Sequence, residues 1–180
     1  FNYGIQNLKE ADIRYAREKN ARIRLIPRCA KVNNQVYAYV MPHIVPESDT
    51  LNKVNYEYNG LLLEGAFAEH QFFMGKGAGG NATGSAVLSD ISALTYDYRY
   101  EYKKLGQQLN HAYTQDVEVE IYASYHGEIK PETGDFISVS VKHESPGFNY
   151  LIGRINLTKL IHAEWINHPS VNLLLTEKNL

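Results

Sequence analysis

Four glycines fall within six positions at Gly75–Gly80, written GKGAGG, and this run constrains the chain more than any other stretch. The apolar segment His70–Met74 (HQFFM) precedes it. Thr83–Leu94 follows, with Ala86, Val87, Ile91 and Leu94 at helical spacing. That order reads as strand, tight turn, helix. With no Cβ in the way, the turn's backbone can approach another group closely. The helix N-terminus behind it offers free N–H groups and the positive end of a dipole. Asn81 and Thr83 are candidates for capping that helix. We do not read the run as a dinucleotide fingerprint of glycines with a distant acidic residue, nor as a P-loop, since no G-K-[ST] closes it. Lys76 reads first as a solvated turn lysine and second as an anion ligand. A purely structural turn stands beside a ligand-binding one as the reading of the whole run.

Elsewhere, periodicity decides. Asn7–Asn20 reads as a helix with Leu8, Ala11, Ile13, Tyr15 and Ala16 on a partly apolar face. Asn7 caps it with Glu10 three residues on, and Asn20 stops it. Arg22–Val32 and Gln35–His43 read as strands joined by a tight turn at Asn33-Asn34, since asparagine tolerates positive φ. Pro42 and Pro46 bracket an extended connection, and Ser48–Leu51 a short turn. Val54–Leu63 and Ala68–Met74 are further strands, turning at Gly65-Ala66. From Thr95 the stretch TYDYRYEYKK alternates tyrosine with charge in strand fashion, and Leu105–Thr114 is ambiguous. Val117–His126, Phe136–Lys142, Tyr150–Ile155 and Val171–Thr176 read as strands, Leu157–Ala163 as a short helix, and Ser145-Pro146-Gly147 as a turn.

The change of character at Leu94–Lys104 sets the expected boundary. Residues 1–94 form one segment ending in the glycine turn and helix; residues 95–180 form a small α+β module. The expected fold class is α+β, with a mixed or mostly antiparallel sheet carrying helices on one face, followed by that module.

A net charge of −2 gives no electrostatic footprint for nucleic acid. No apolar run approaches the roughly 20 residues of a membrane span. The single cysteine, Cys29, cannot pair internally, and no secretory signal is visible at the start, so the expected location is the cytoplasm. The histidines His43, His70, His111, His126, His143, His162 and His168 lack metal-site spacing and read as surface or strand-edge residues. Glu118 and Glu120 share a strand face, where a solvated edge outweighs acid–base work. No serine or cysteine nucleophile motif appears.

The segment Gly75–Ile91, GKGAGGNATGSAVLSDI, resembles the G-x-G-A-G-x-x-x-T-x-x-A-V-x-x-D-I stretch of homoserine dehydrogenases. Upstream landmarks come in the family's order: Gly4-Ile5, Asp12-Ile13, Ala16, Val40, Pro42, Pro46, Leu51, Val54 and Asn59. The resemblance covers Phe1–Leu94, about half the chain. Lys76 departs from it, standing where the family usually has proline or a small residue, and Asn81-Ala82 replaces a segment often holding proline.

The resemblance implies part of an oxidoreductase that interconverts aspartate semialdehyde and homoserine with NADP or NAD, in threonine and methionine biosynthesis. The glycine matching Gly79 contacts the cofactor in that family; Gly77, Ala78 and Gly80 complete the turn beside it. Asp90 matches a family position with an expected structural job. The family's nucleotide-binding turn and catalytic lysines lie before the Gly4-Ile5 landmark, so no catalytic residue carries over. A C-terminal fragment of this kind is expected to be inactive alone. The family's helix matching Thr83–Leu94 packs on the nucleotide-binding domain, so Ala86, Val87, Ile91 and Leu94 are expected to seek a new partner by homodimerisation or redocking. The C-terminal module has two readings, a regulatory amino-acid-binding βαββαβ domain or a structural extension. The alternative for the whole chain is a noncatalytic amino-acid-binding or interaction module.

Overall fold

The computed structural model describes residues 1–96, 98 and 111–176 of the chain. The alternating tyrosine strand expected from Thr95 falls largely outside these residues, as does most of the ambiguous stretch after it. Two compact units emerge. One joins Phe1–Glu47 to His111–Leu180, and the other is Ser48–Asn110.

The first unit is built on a mixed six-stranded sheet. Its strands are β1 (Ala21–Val32), β2 (Gln35–Pro46), β5 (Glu118–Tyr125), β6 (Ser138–His143), β7 (Asn149–Asn156) and β8 (Val171–Leu175), in the order β1-β2-β8-β5-β7-β6. All neighbours are antiparallel except β2 and β8, which meet in parallel at His43 and Leu175. The hairpin β1–β2 turns at Asn33 (φ 46°) and Asn34 (φ 62°), the left-handed pair that matches strand twist. The α+β class and the mixed, mostly antiparallel sheet are as expected.

The expected boundary at Leu94/Thr95 does not coincide with the compact units. β1 and β2 precede it yet share a sheet with four strands that follow it. The physical reason is β8. Its sequence, VNLLL, is buried at every position and needs a neighbour along each edge; β5 supplies one and β2 the other.

Side-chain alternation sorts the core into two layers. Val119, Ile121, Ala123, Leu151, Ile155, Leu173 and Leu175 join Leu157 and Leu160 of α3 (Leu157–Ile161), together with Trp165 and Ile166. Tyr122, Asn172 and Leu174 point the opposite way, towards α1 (Glu10–Glu18). The expectation of helices on one face is therefore refined: α1 covers one face of this sheet and α3 the other.

The start of α1 also differs from expectation. Its N-cap is Lys9, whose N–H donates to Asp12 Oδ2 (2.9 Å). Asn7, the expected cap, instead donates its amide to the carbonyls of Val171 (2.9 Å) and His168 (3.2 Å), tying the approach to α1 to the start of β8. Asn20 ends the helix with φ 52°. Asp12 is fully buried and accepts three hydrogen bonds: from Lys9 N–H, from Tyr122 Oη (2.9 Å) and from Asn172 Nδ2 (3.0 Å). Burial, and then the facing Asp12 carboxylate, push the Tyr122 hydroxyl pKa upward.

Between β5 and β6, where a βαββαβ module would carry its first helix, the chain forms only a 3-10 turn at Thr133–Asp135. β6 is an exposed edge strand, bulged between Val139 and Val141.

The second unit opens with a 3-10 turn at Thr50–Lys53, capped by Asp49 through the Leu51 N–H (2.7 Å). The expected strand at Val54–Leu63 starts later, because Tyr56 takes a left-handed conformation (φ 56°) and delays pairing. A two-stranded hairpin follows, β3 (Tyr58–Gly65) with β4 (Glu69–Lys76), and then α2 (Gly80–Leu94).

Candidate functional site

The glycine turn lies where expected, between β4 and α2, but each glycine is there for its own reason. Gly79 is the helix N-cap at φ 103°, a backbone state that side chains rarely allow. Gly77 has an ordinary backbone, but a Cβ there would overlap Asn59 Nδ2 and lie 2.7 Å from Asn59 Cγ. Gly75 and Gly80 face open space. The letters at 75, 77 and 80 do fit G-x-G-x-x-G. However, among the described residues β4 pairs only with β3, and antiparallel, so they show no parallel βαβ unit around α2.

The expected side-chain caps Asn81 and Thr83 do not act as caps; among the described residues no side chain caps the N-terminus of α2. The first intrahelical bond runs from Thr83 N–H to Gly79 O (3.1 Å). The N–H groups of Gly80, Asn81 and Ala82 therefore precede any helical partner. These three residues, with Ala78, Gly79, Glu57 and Lys76, line a cavity of about 350 Å³. Of the four sequence-predicted residues, Ala78, Gly79 and Gly80 are in its wall, and Gly77 is not.

Sequence reasoning missed Glu57, because only the hairpin register carries it to the turn. Its carbonyl accepts from Gly77 N–H (2.8 Å), extending the ladder one step past the strand. Its carboxylate pairs with Lys76 Nζ at 2.8 Å, which holds the Glu57 carboxyl below the usual carboxylate range. Lys76 Nζ also lies over the Tyr58 ring, 5.5 Å from its centroid. Lys76 is thus neither simply solvated nor free for an anion, but half of an exposed ion pair at the cavity's edge.

The hairpin face bearing Asn59, Gly75 and Gly77 continues into Leu61, Leu63 and Phe73, with Leu61 60% and Phe73 54% exposed. On α2, Val87 and Ile91 are 53% and 54% exposed, and Leu94 is 76% exposed. Among the histidines, His43 departs from the surface expectation. It is 1% exposed and bonded through Nδ1 to Met41 O (3.0 Å), and its Nε2 has no hydrogen-bond partner among the described residues. Burial depresses its pKa to about 4.

The second unit thus presents a strand–glycine turn–helix beside an open hollow, with backbone N–H donors of the helix start among its lining residues. Comparison with known proteins identifies the chain further. The family model described as homoserine dehydrogenase matches residues 2–92. Homoserine dehydrogenase of Corynebacterium glutamicum is 38% identical over 93 residues, which is 49% of this chain and 21% of that protein. The Neisseria gonorrhoeae homoserine dehydrogenase is 34% identical over 88 residues, 49% of this chain and 20% of that protein. A crystal structure of a homoserine dehydrogenase from Thiobacillus denitrificans superposes with a TM-score of 0.70 at 20% identity, covering 98% of this chain and 47% of that one. A Staphylococcus aureus homoserine dehydrogenase gives 0.58 at 21% identity, over 98% of this chain and 47% of that one. This chain belongs to the homoserine dehydrogenase family. Its matches span about a fifth of the curated relatives and just under half of the solved chains. The structural likeness runs past residue 94, so the fold of the C-terminal strands is shared as well.

Proposed function

We propose that this chain supplies the substrate-domain and C-terminal portion of an NAD(P)-dependent oxidoreductase that interconverts aspartate semialdehyde and homoserine. The family match over residues 2–92, which takes in the glycine turn and the hollow beside it, carries this reading. Gly77, Ala78, Gly79 and Gly80 are the residues assigned to the cofactor's side of the site. The local geometry fits that role: Gly79 and Gly80 put no Cβ into open space, so a flat ring can approach the backbone closely. The N–H groups of Gly80–Ala82 present donors to polar atoms of the ligand. When bound, NADP or NAD supplies the hydride chemistry; these residues position its reactive end and supply no proton transfer.

The same reading makes the chain inactive by itself, places the reaction in threonine and methionine biosynthesis in the cytoplasm, and makes the assembled protein a homodimer. The exposed apolar stripe Val87, Ile91 and Leu94 supports a missing partner surface.

The test is co-expression of this chain with the nucleotide-binding half of a homoserine dehydrogenase. Restored dinucleotide-dependent oxidation of homoserine is the expected result. A folded chain that never associates with that half would favour a noncatalytic amino-acid-binding or interaction module instead.

A further inference from the structure

We infer that Asn59 is a positioning residue for the glycine turn, and that Gly77 is a glycine in order to admit it. Asn59 pairs with Gly75 in the β3–β4 register, so its side chain stands on the same face as Gly77, one step beyond the last ladder pair. Gly77 needs no unusual backbone, and the three nearest atoms a Cβ there would meet all belong to the Asn59 amide. That amide therefore sits directly against the Cα of Gly77. It backs the turn from the side, while Ala78 to Ala82 form the cavity wall.

The backbone bond from Gly77 N–H to Glu57 O fixes one side of the residue, and the Asn59 amide closes another. Together they set the direction in which Ala78 and Gly79 leave the hairpin. Neither Asn59 nor Gly77 lines the cavity, so the amide acts through the turn and not on a ligand. The role differs from that of Gly79, whose positive φ is a demand of the backbone itself.

Asn59 is exposed, so a Cβ at position 77 can expel its amide by rotating the side chain away. Asn59→Ala and Gly77→Ala thus remove the same contact by different routes. In the 15N-labelled chain, the Ala78–Ala82 amide signals should move in the same direction in both variants. The double variant N59A/G77A should reproduce either single one instead of summing them. The near-isosteric Asn59→Asp should stay closer to wild type. Unmoved signals in folded N59A, or effects that add in the double variant, overturn the inference.

A second arm rests on the cofactor-side reading of the turn. In the enzyme completed by co-expression, N59A should raise the dinucleotide KM on the order of tenfold, a fraction of what a 1 Å misplacement can cost. The turnover number should stay within about twofold, the pattern of lost binding and not lost chemistry. A fall in kcat with unchanged KM overturns the positioning role. If the wild-type complex oxidises no homoserine, the proposed function fails, while the amide signals still decide the assignment of Asn59.

Discussion

Asp12 gives the sharpest test of how the first unit is held together. Its carboxylate is fully buried and faces three donors, Lys9 N–H, Tyr122 Oη and Asn172 Nδ2, all at 2.9 to 3.0 Å. Asp12→Ala leaves those donors unpaired. A stranded buried donor costs about 1–3 kcal/mol, and water entering the space left by the carboxylate recovers part of it. The expected loss is about 4 kcal/mol, a large share of a domain's stability. Asp12→Asn should cost far less, about 1–2 kcal/mol, the difference between a charged and a neutral acceptor. Its carbonyl can take the Lys9 and Asn172 bonds, and its NH₂ can donate to the Tyr122 oxygen, because a hydroxyl also accepts. The sole tryptophan, Trp165, is buried in the same unit and stacks on Phe136, so its fluorescence reports urea unfolding of this unit. Equal losses for the Ala and Asn variants, or a loss under about 1 kcal/mol for Asp12→Ala, would refute the claim that Asp12 closes the start of α1 through Lys9 and holds the helix to the sheet through Tyr122 and Asn172.

Three further outcomes follow from the geometry. His43 titrates near 6.5 when unfolded and at about 4 when folded, so its contribution is complete above pH 6.5 and is lost as pH falls from there towards 4. The loss is on the order of 3 kcal/mol, and His43→Met should remove that part of the pH dependence from urea midpoints read by Trp165. An identical slope in wild type and variant would contradict it. Gly153→Ala places a Cβ 2.5 Å from the Ser138 carbonyl oxygen and 2.8 Å from the Phe136 ring. Overpacking there should cost about 1–3 kcal/mol, seen in the same unfolding assay. Finally, the α2 stripe should drive self-association or redocking, and Val87→Glu with Ile91→Glu should abolish the self-association. Light scattering that finds the wild-type chain monomeric with that helix fully solvated would count against it.

Local chemistry was largely legible in the sequence. Paired asparagines announced the β1–β2 turn, alternation announced β5, and four glycines announced the junction of β4 and α2. Relations between distant residues were not. Nothing local says that β8 slots between β2 and β5, because a short apolar run such as VNLLL fits any interior position. Asn7 has the composition of a cap, yet a carbonyl at Val171 competes for its amide. At the candidate site, glycines look alike on paper. Only the cross-strand register separates Gly77, which makes room for a side chain, from Gly79, which makes a backbone turn possible.

The place of β8 bears on how the chain acquires its fold during synthesis. The strand is translated after every other strand of its sheet, yet it occupies an interior position. The β1–β2 hairpin can close early, but the β2 edge that receives β8 stays open until about 125 further residues have left the ribosome, an interval set by strand order and typical of slow, non-local pairing. A strand edge left waiting that long is where a nascent chain is open to mispairing and to capture by chaperones.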